Sequence, residues 1–213
     1  MQQIPKTIAL AMTGASGAQY GLRLLECLLR DGHQVYLMLS QPAQVVIGME
    51  TDLKLPSRPR EIERFFTEHY SAAQGQLAVF DRNQWTAPVA SGSGAADAMV
   101  VCPCTTGTMA AIANGYSDNL IHRAGDVMLK ERKPLILVVR ETPLSLIHID
   151  NMHKLTLAGA VIMPPAPGFY NRPTTIDELI DFMVAKILDQ LHITQHIAPR
   201  WGHADIEESA EEQ

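Results

Sequence analysis

The fold is decided by a stretch near the start of the chain, Thr7-Ile8-Ala9-Leu10-Ala11-Met12-Thr13-Gly14-Ala15-Ser16-Gly17-Ala18-Gln19-Tyr20-Gly21. Its apolar run is typical of a buried strand, a glycine and serine turn follows, and apolar residues then recur at helical spacing from Tyr20 to Leu28. The first N–H groups of a helix lack internal partners and carry the positive end of its dipole, so the turn predicts an anion site. Gly14 and Gly17 would let a phosphate approach closely, with the Ser16 hydroxyl beside it; a plain β-to-α turn is the alternative.

The turn differs from the common nucleotide-binding signatures. Gly14, Gly17 and Gly21 do not match G-x-G-x-x-G, and no Gly-Lys-Ser/Thr follows them. A dinucleotide fold also places an acid at the end of its second strand, whereas here Gln34-Val35-Tyr36-Leu37-Met38-Leu39 is followed by Ser40. The expected ligand is therefore a mononucleotide or another phosphate ester rather than NAD.

Composition narrows the class of protein. The chain has 213 residues and a net charge of −6, with charges mixed along it, which predicts one domain over residues 1–213 and no nucleic-acid partner. It contains no apolar run of about eighteen residues and no signal-peptide pattern, so we expect a cytoplasmic protein with no membrane partner. The three cysteines, Cys27, Cys102 and Cys104, are expected to be buried and unpaired. The acidic tail, residues 199–213, is expected to be disordered at its tip.

Apolar segments alternate with helical patterns along the rest of the chain. After the first strand, further strands are predicted at Gln34–Leu39, Ala98–Cys102, Leu135–Val139 and Ala160–Met163. Helices are predicted from Tyr20 onward and at Ala43–Met49, Ile62–Tyr70, Met109–Ala113, Ala124–Arg132, Ile147–Ala158 and Ile176–Leu191. Ser71–Gly94, which contains Ser91-Gly92-Ser93, is predicted to be a long irregular loop at a site. Apolar strands that alternate with helices predict an α/β fold whose parallel sheet is covered on both faces.

Ligands bind at the carboxyl ends of the strands in such sheets. Those ends carry Thr13–Gly17, Ser40, Thr105–Thr108, Arg140 with Glu141, and a proline-rich loop that leads to Tyr170. The turn Thr105-Thr106-Gly107-Thr108 repeats the arrangement of the first turn and suits a mononucleotide phosphate, although threonines also cap helices. Arg140 follows a buried strand, so its charge must face a cleft or be paired, for example with Glu141.

Further cations lie on two predicted helices. Arg123 and Lys130 share one face of a helix, where Asp126 could instead form an ordinary ion pair with Lys130. Lys186 lies on the last helix, and the Tyr170 hydroxyl could reach the same cleft. The histidines lack a metal-ligand spacing, and no aspartate-rich cluster could hold magnesium, so no metal is expected.

Five motifs, taken together and in order, resemble the flavin prenyltransferases of the UbiX type. They are the run from Thr13 to Gly21, Cys102-Pro103-Cys104-Thr105-Thr106-Gly107-Thr108, Arg123-Ala124-Gly125-Asp126-Val127-Met128-Leu129-Lys130-Glu131-Arg132, Arg140-Glu141-Thr142-Pro143 and Pro167-Gly168-Phe169-Tyr170. The likeness extends from Ile8 to Trp201.

This resemblance implies a flavodoxin-like or Rossmann-like three-layer sandwich that assembles into a homo-oligomer, a dodecamer, with the flavin bound where subunits meet. It also implies transfer of a dimethylallyl group from dimethylallyl monophosphate to N5 and C6 of reduced FMN, without a metal. The product, prenylated FMN, would serve a UbiD-type decarboxylase in ubiquinone biosynthesis or aromatic acid decarboxylation. One alternative is a related FMN-dependent cysteine decarboxylase, whose Pro-x-Met-Asn-x-x-Met-Trp stretch is absent here. The other is a flavodoxin-like carrier, which would need no second phosphate site.

The resemblance also implies roles for individual residues. FMN would be held by Gly14, Ala15, Ser16, Gly17, Ser40, Thr105, Thr106, Gly107, Thr108, Arg123 and Arg140. The prenyl phosphate would be held by Lys130, Arg140, Tyr170 and Lys186, because clustered cations can neutralise a leaving phosphate in place of a metal. Trp85 and Trp201 would shelter the allylic cation. Glu50 and Glu141 would move protons and Ser16 would orient the flavin near N5, which makes the implied catalytic set Ser16, Glu50, Lys130, Glu141 and Tyr170.

Overall fold

The structure, a computed structural model, describes residues 4–199. The strands in this range are β1 (Thr7–Met12), β2 (Gln34–Leu39), β3 (Leu77–Phe80), β4 (Ala98–Cys104), β5 (Leu135–Val139) and β6 (Val161–Ile162). They form one sheet in the order β3-β2-β1-β4-β5-β6, and every neighbouring pair is parallel. The predicted parallel sheet is therefore confirmed.

Helices connect all the strands except β3 and β4, in line with the alternating pattern of the sequence. They are α1 (Ala18–Arg30), α2 (Gln41–Glu50), α3 (Pro59–His69), α4 (Thr106–Ala113), α5 (Leu120–Lys130), α6 (Leu146–Leu157) and α7 (Ile176–Gln190). The side-chain oxygens of Ser40, Thr105 and Asn119 accept an N–H three residues on and so define the starts of α2, α4 and α5. Among the helices of residues 4–199, none is long and apolar enough to cross a membrane.

The centre of the sheet is the core of the fold. Every residue of β4 and β5 is buried, and β1 is buried from Ile8 to Met12. Helix α1 lies directly on this layer, because a Cβ atom at Gly21 would clash with the carbonyl oxygen of Cys102. Cys27, Cys102 and Cys104 are buried, as predicted, and none of the three is joined to another by a disulfide bond.

The strand order reverses between β1 and β4, which is where open α/β sheets bind their ligands. The Thr13 hydroxyl joins the ends of these two strands. It donates to the Pro103 carbonyl at 2.8 Å and accepts from the Thr105 N–H at 2.8 Å. The two turns predicted as anion sites are thus held side by side at the reversal point.

The segment predicted to be a long irregular loop, Ser71–Gly94, contains a strand instead. Strand β3 pairs with β2 at the edge of the sheet, and only alternate residues of β3 are buried. Four residues give too little periodicity to stand out from a loop in sequence. After β3 the chain continues through two short 3₁₀ turns, Pro88–Ala90 and Gly92–Gly94, before β4 begins.

The chain divides into two compact units after Pro165. In the second unit, α7 begins at a capping box, in which Thr175 accepts from the Glu178 N–H and the Glu178 carboxylate accepts from the Thr175 N–H. Met183 and Ile187 are buried, whereas Ile176, in the first turn of α7, is 75 % exposed.

Candidate functional site

A carboxylate occupies the first predicted anion site. The N–H groups of Gly17 and Ala18, at the start of α1, both donate to Glu50 Oε2 at 2.9 Å. The Ser16 side chain also hydrogen-bonds to Glu50. The expectation that this turn receives a phosphate is therefore wrong for these two donors, because a residue from the end of α2 already fills the position.

The environment of Glu50 favours its charged form. Burial raises the pKa of this carboxyl, but the hydrogen bonds from Ser16, Ala18 and Gly17 and the positive charge of Arg140 outweigh burial and lower the pKa. Arg140 follows β5 and donates from Nε to the Ser16 carbonyl oxygen at 3.3 Å. Ser16, Gly17, Glu50 and Arg140 thus form one polar cluster, in which Glu50 is a charged carboxylate at neutral pH.

The second predicted anion site has free donors. At the start of α4 the Thr105 hydroxyl oxygen accepts from the Thr108 N–H at 3.2 Å and its proton goes to the Thr108 hydroxyl at 3.0 Å. Within residues 4–199, the N–H groups of Thr106 and Gly107 have no acceptor, and a Cβ at Gly107 would meet nothing within 4 Å. This open helix start, with the Thr108 hydroxyl proton beside it, fits the phosphate of a mononucleotide such as FMN.

Ser40 lies at the same edge of the sheet. Its N–H donates to the Met12 carbonyl at 3.1 Å, and its hydroxyl oxygen accepts from the Ala43 N–H at 3.1 Å. The Ser40 hydroxyl proton remains available to a ligand. Glu141 follows Arg140, is exposed, and accepts from the Thr142 N–H at 3.0 Å. Arg140 donates to Ser16, so the suggested pairing of Arg140 with Glu141 is not what the structure describes.

A second group of residues lies along α5. Arg123 donates from Nε to the Ala90 carbonyl at 3.0 Å and from Nη1 to Asp126 at 2.6 Å, while Lys130 pairs with Glu131. The suggested ion pair between Asp126 and Lys130 is therefore wrong. Arg123 lies three residues before Asp126 on the same helix face and binds that carboxylate first.

Within one chain, Lys130 and Arg140 lie at opposite ends of strand β5. They are therefore at the two edges of the sheet where the parallel strands begin and end, which we call its amino edge and its carboxyl edge. Helix α5 ends at Lys130 just before β5 begins, whereas Arg140 comes directly after β5 ends. The five residues of β5 separate these edges by about 17 Å, at about 3.3 Å per residue. One chain therefore carries two separate groups of candidate site residues, which we call the carboxyl-edge cluster (Ser16, Gly17, Glu50, Thr106–Thr108 and Arg140) and the amino-edge cluster (Ser91–Gly94, Lys130 and Glu131).

The amino-edge cluster includes a turn whose contacts the sequence did not reveal, Ser91–Gly94, which we call the serine–glycine turn. A Cβ at Gly92 would clash with the Glu131 carboxylate, so the turn lies against the Lys130–Glu131 pair. The hydroxyls of Ser91 and Ser93 are 3.2 Å apart. In the part of the chain that the structure describes, the N–H groups of Gly92 and Ser93 have no acceptor.

Two of the predicted phosphate ligands, Tyr170 and Lys186, each lie next to Phe182 in the second compact unit. The rings of Tyr170 and Phe182 are 5.6 Å apart at 75°, and Lys186 Nζ lies 5.7 Å from the centre of the Phe182 ring. Phe182 connects the two predicted residues, and its position on α7, four residues before Lys186, was the available signal. In the first unit, Trp85 is 48 % exposed after β3; Trp201 lies outside the described residues.

Other ionisable groups do not join these clusters. Burial raises the pKa of the Cys104 thiol to about 12 and raises that of Cys102 as well, which makes both thiols poor nucleophiles. Among residues 4–199, no group of three or more His, Cys, Asp or Glu side chains could hold a metal ion.

Known proteins that are similar to this chain are flavoproteins. The Flavoprotein family model matches residues 2–188. A flavin prenyltransferase UbiX of Pseudomonas aeruginosa is 56 % identical over 95 % of this chain and 97 % of its own. The crystal structure of AnUbiX (PadA1) in complex with FMN and dimethylallyl pyrophosphate has a TM-score of 0.82 and 42 % identity, covering 93 % of this chain and 98 % of its own. A dodecameric FMN-dependent UbiX-like decarboxylase from Escherichia coli O157:H7 has a TM-score of 0.79 and 38 % identity, covering 92 % and 98 %. The chain therefore belongs to the flavoprotein family and, within it, to the flavin prenyltransferases of the UbiX type.

Proposed function

We propose that this protein transfers a dimethylallyl group from dimethylallyl monophosphate to reduced FMN, releasing inorganic phosphate. The observation that carries the proposal is the presence of two separate anion sites in one chain. One is the open start of α4, and the other is the serine–glycine turn beside Lys130. A flavin carrier would need only the first of these sites, whereas a transferase needs one for each phosphate.

The FMN phosphate is assigned to the start of α4. The free N–H groups of Thr106 and Gly107, the hydroxyl proton of Thr108 and the dipole of the helix all favour a dianion there. When bound, reduced FMN supplies the nucleophilic N5 and C6 atoms that accept the prenyl group. Ser16 and Glu50 lie at the neighbouring strand end, where they can orient the flavin ring and accept a proton.

The donor phosphate is assigned to the amino-edge cluster. The N–H groups of Gly92 and Ser93 can donate to it, and the Lys130 ammonium can leave Glu131 to neutralise the charge that develops as the carbon–oxygen bond breaks. Tyr170, Lys186 and Arg140 are proposed to complete the ligand set. Trp85 and Trp201 are proposed to shield the allylic cation from water, and Glu141 to exchange protons near the ring.

Because the two clusters lie at opposite edges of one sheet, a complete site requires a second copy of the chain. The exposed apolar side chains of the first unit provide a surface for this association. They include Tyr116, Leu144, Leu146, Ile147, Ile149 and Leu157, of which four belong to α6. A dodecamer, a cytoplasmic location and delivery of prenylated FMN to a UbiD-type decarboxylase complete the proposal.

The test is anaerobic incubation of the purified protein with reduced FMN and dimethylallyl monophosphate, followed by mass spectrometry of the extracted flavin. We expect a mass increase of one C5H8 unit. Parallel reactions with dimethylallyl pyrophosphate, and with and without magnesium, define the donor and the metal requirement.

Other outcomes point to the two alternatives. Unmodified FMN that stays bound would contradict the transferase and favour a carrier. Release of carbon dioxide from a cysteine-derived carboxylate by the same protein would favour the decarboxylase. Absence of any bound flavin would contradict the assignment of the α4 start.

A further inference from the structure

The segment that joins β3 to β4, residues 81–97, follows α5 along its whole length. The Arg82 carbonyl accepts from the Leu120 N–H at the start of the helix at 2.8 Å, and the Ala90 carbonyl accepts from Arg123. Beyond the helix end, Lys133 Nζ donates to the carbonyls of Ala95 and Ala96 at 2.8 and 2.9 Å. Two cations thus bind the chain on either side of the serine–glycine turn.

The backbone at the end of α5 fixes where the Lys133 side chain begins. Arg132 has a φ of 55°, in the left-handed region, its N–H donates to Leu129 O, and the Lys133 N–H donates to Met128 O at 2.9 Å. This pair of hydrogen bonds is the Schellman arrangement, which usually employs glycine at the left-handed position. Lys133 therefore leaves the helix in a defined direction, toward the carbonyls of Ala95 and Ala96.

We infer that Lys133 is a positioning residue for the donor phosphate. Its ammonium holds the carbonyls of Ala95 and Ala96 against the end of α5, and so keeps the serine–glycine turn beside Lys130. The inference rests on the proposed function, since it concerns the phosphate site of that reaction. Lys133 itself touches neither FMN nor the donor in this arrangement; it acts through the turn.

The burial and spacing of the groups favour this role over a purely structural one. Val89 and Ala96, which flank the serine–glycine turn, are buried, and the Asp97 carboxylate accepts from the Thr7 N–H at 2.8 Å. The fold thus has other attachments at the same place. These attachments do not bind the N–H groups of Gly92 and Ser93. Lys133 adds the alignment of these N–H groups with the Lys130 ammonium.

The experiment compares steady-state kinetics of wild-type protein, Lys133→Met and Lys133→Arg, with Lys154→Met as a matched control. Lys154 also donates from its ammonium to a neighbouring group, Asn114 Oδ1 at 2.8 Å, where Lys133 donates to two carbonyls, and it lies on another part of the surface. In Lys133→Met we expect the KM for dimethylallyl monophosphate to rise about tenfold while kcat and FMN affinity change less than about twofold, because a contact equally strong in ground and transition states is weakened. Lys133→Arg should restore most of the loss, and Lys154→Met should match wild type.

Several results would overturn the inference. An unchanged KM in Lys133→Met means that the turn does not need this ammonium. A parallel fall in kcat, FMN affinity and melting temperature that arginine does not rescue means that Lys133 only stabilises the fold. If Lys133→Met does not fold, the same comparison of KM values is made with Lys133→Gln, whose side-chain amide keeps N–H donors. A wild-type protein that transfers no prenyl group overturns the proposed function and this role with it, whereas an active wild type with unchanged variant kinetics overturns the role of Lys133 alone.

Discussion

Glu50 closes the first turn of α1, so neutralising its carboxylate should weaken that turn. In Glu50→Gln an amide oxygen remains but the negative charge is lost, and we expect the free energy of unfolding at neutral pH to fall by about 1 kcal/mol, the usual contribution of a helix cap. Urea unfolding at a fixed protomer concentration measures this change. Glu68→Gln, which removes the exposed partner of Arg64, should change it by less than about 0.5 kcal/mol.

The same carboxylate predicts a pH dependence. Because the pKa of Glu50 in the folded protein lies below its ordinary value of 4.5, its contribution to stability is complete above that pH and is lost as the pH falls through the folded pKa. The difference in unfolding free energy between wild type and Glu50→Gln should shrink in that range. A difference that stays constant on acidification would show that the charge of Glu50 does not stabilise α1.

His33 predicts a second pH dependence, at higher pH. The ring is fully buried, Nδ1 accepts from the Lys6 N–H at 3.1 Å, and Nε2 has no partner among residues 4–199. Burial lowers the pKa of His33; Asp31 opposes this and Lys6 adds to it. The unfolded chain therefore binds the proton more readily, and stability is lost as the pH falls below the ordinary value of 6.5 toward the folded pKa.

His33→Gln, which keeps an acceptor for Lys6, should reduce the loss of stability between neutral and mildly acidic pH. Chemical denaturation at several pH values across this range gives the slope. His153→Gln, at an exposed position of α6, should leave the slope as it is in wild type. If both variants keep the wild-type slope, another group titrates in this range.

One capping residue was anticipated at this level, but the partner of the α1 turn was not. The threonines at 105–108 were recognised as possible helix caps, and Thr105 does cap α4, although α4 begins at Thr106, three residues before the predicted start at Met109. Glu50 is 33 residues from Gly17, and no local pattern reveals a contact at that separation. The resemblance named Glu50 as a site residue, while its position on the α1 turn required the structure.

Helix packing depends on the absence of a side chain at Gly21 but not at Gly48. A Cβ at Gly21 would enter the Cys102 carbonyl on the sheet, whereas a Cβ at Gly48 in α2 would meet nothing within 4 Å. Gly21→Ala should therefore destabilise the fold by about 1–3 kcal/mol through overpacking. Gly48→Ala should stabilise it by about 0.5–1 kcal/mol, since alanine loses less backbone entropy in a helix. Urea unfolding of both variants measures the contrast, and equal effects would mean that α1 shifts away from β4.

Buried, continuously apolar strands were the most predictable elements. Strands β1, β2, β4, β5 and β6 were all foreseen, because each presents an apolar run between turn signals. Strand β3 was missed because it has four residues, lies at the edge and buries only Leu77 and Val79. The start of α5 at Leu120 was also placed four residues late, since its cap, Asn119, lies in a polar segment that reads as a loop.

The two clusters lie at opposite ends of the strands because of the way the chain connects the strands of a parallel sheet. In a parallel sheet each connecting helix returns the chain to the opposite edge, so the end of α5 and the end of β5 are separated by the length of the strand. Arg140 and Lys130 were both predicted to bind the prenyl phosphate, and that role stays a prediction, but the sequence gives no distance between them. The structure adds that about 17 Å of strand β5 lies between them, which supports the proposal that a complete site takes Lys130 and Arg140 from different subunits.

Subunit complementation tests this conclusion. Lys130→Ala and Arg140→Ala homo-oligomers should each have little prenyl transfer activity, because every site lacks one phosphate ligand. Co-expression of the two chains should restore activity to about one quarter of wild type, since a site that takes Arg140 from one subunit and Lys130 from another is intact in about one of four random pairings. The measurement is prenylated FMN formed per subunit in co-purified, doubly tagged oligomers, with a mixture of separately purified, non-exchanging oligomers as the control. Mixed oligomers that stay inactive would contradict the shared site, because both ligands would then have to come from the same chain.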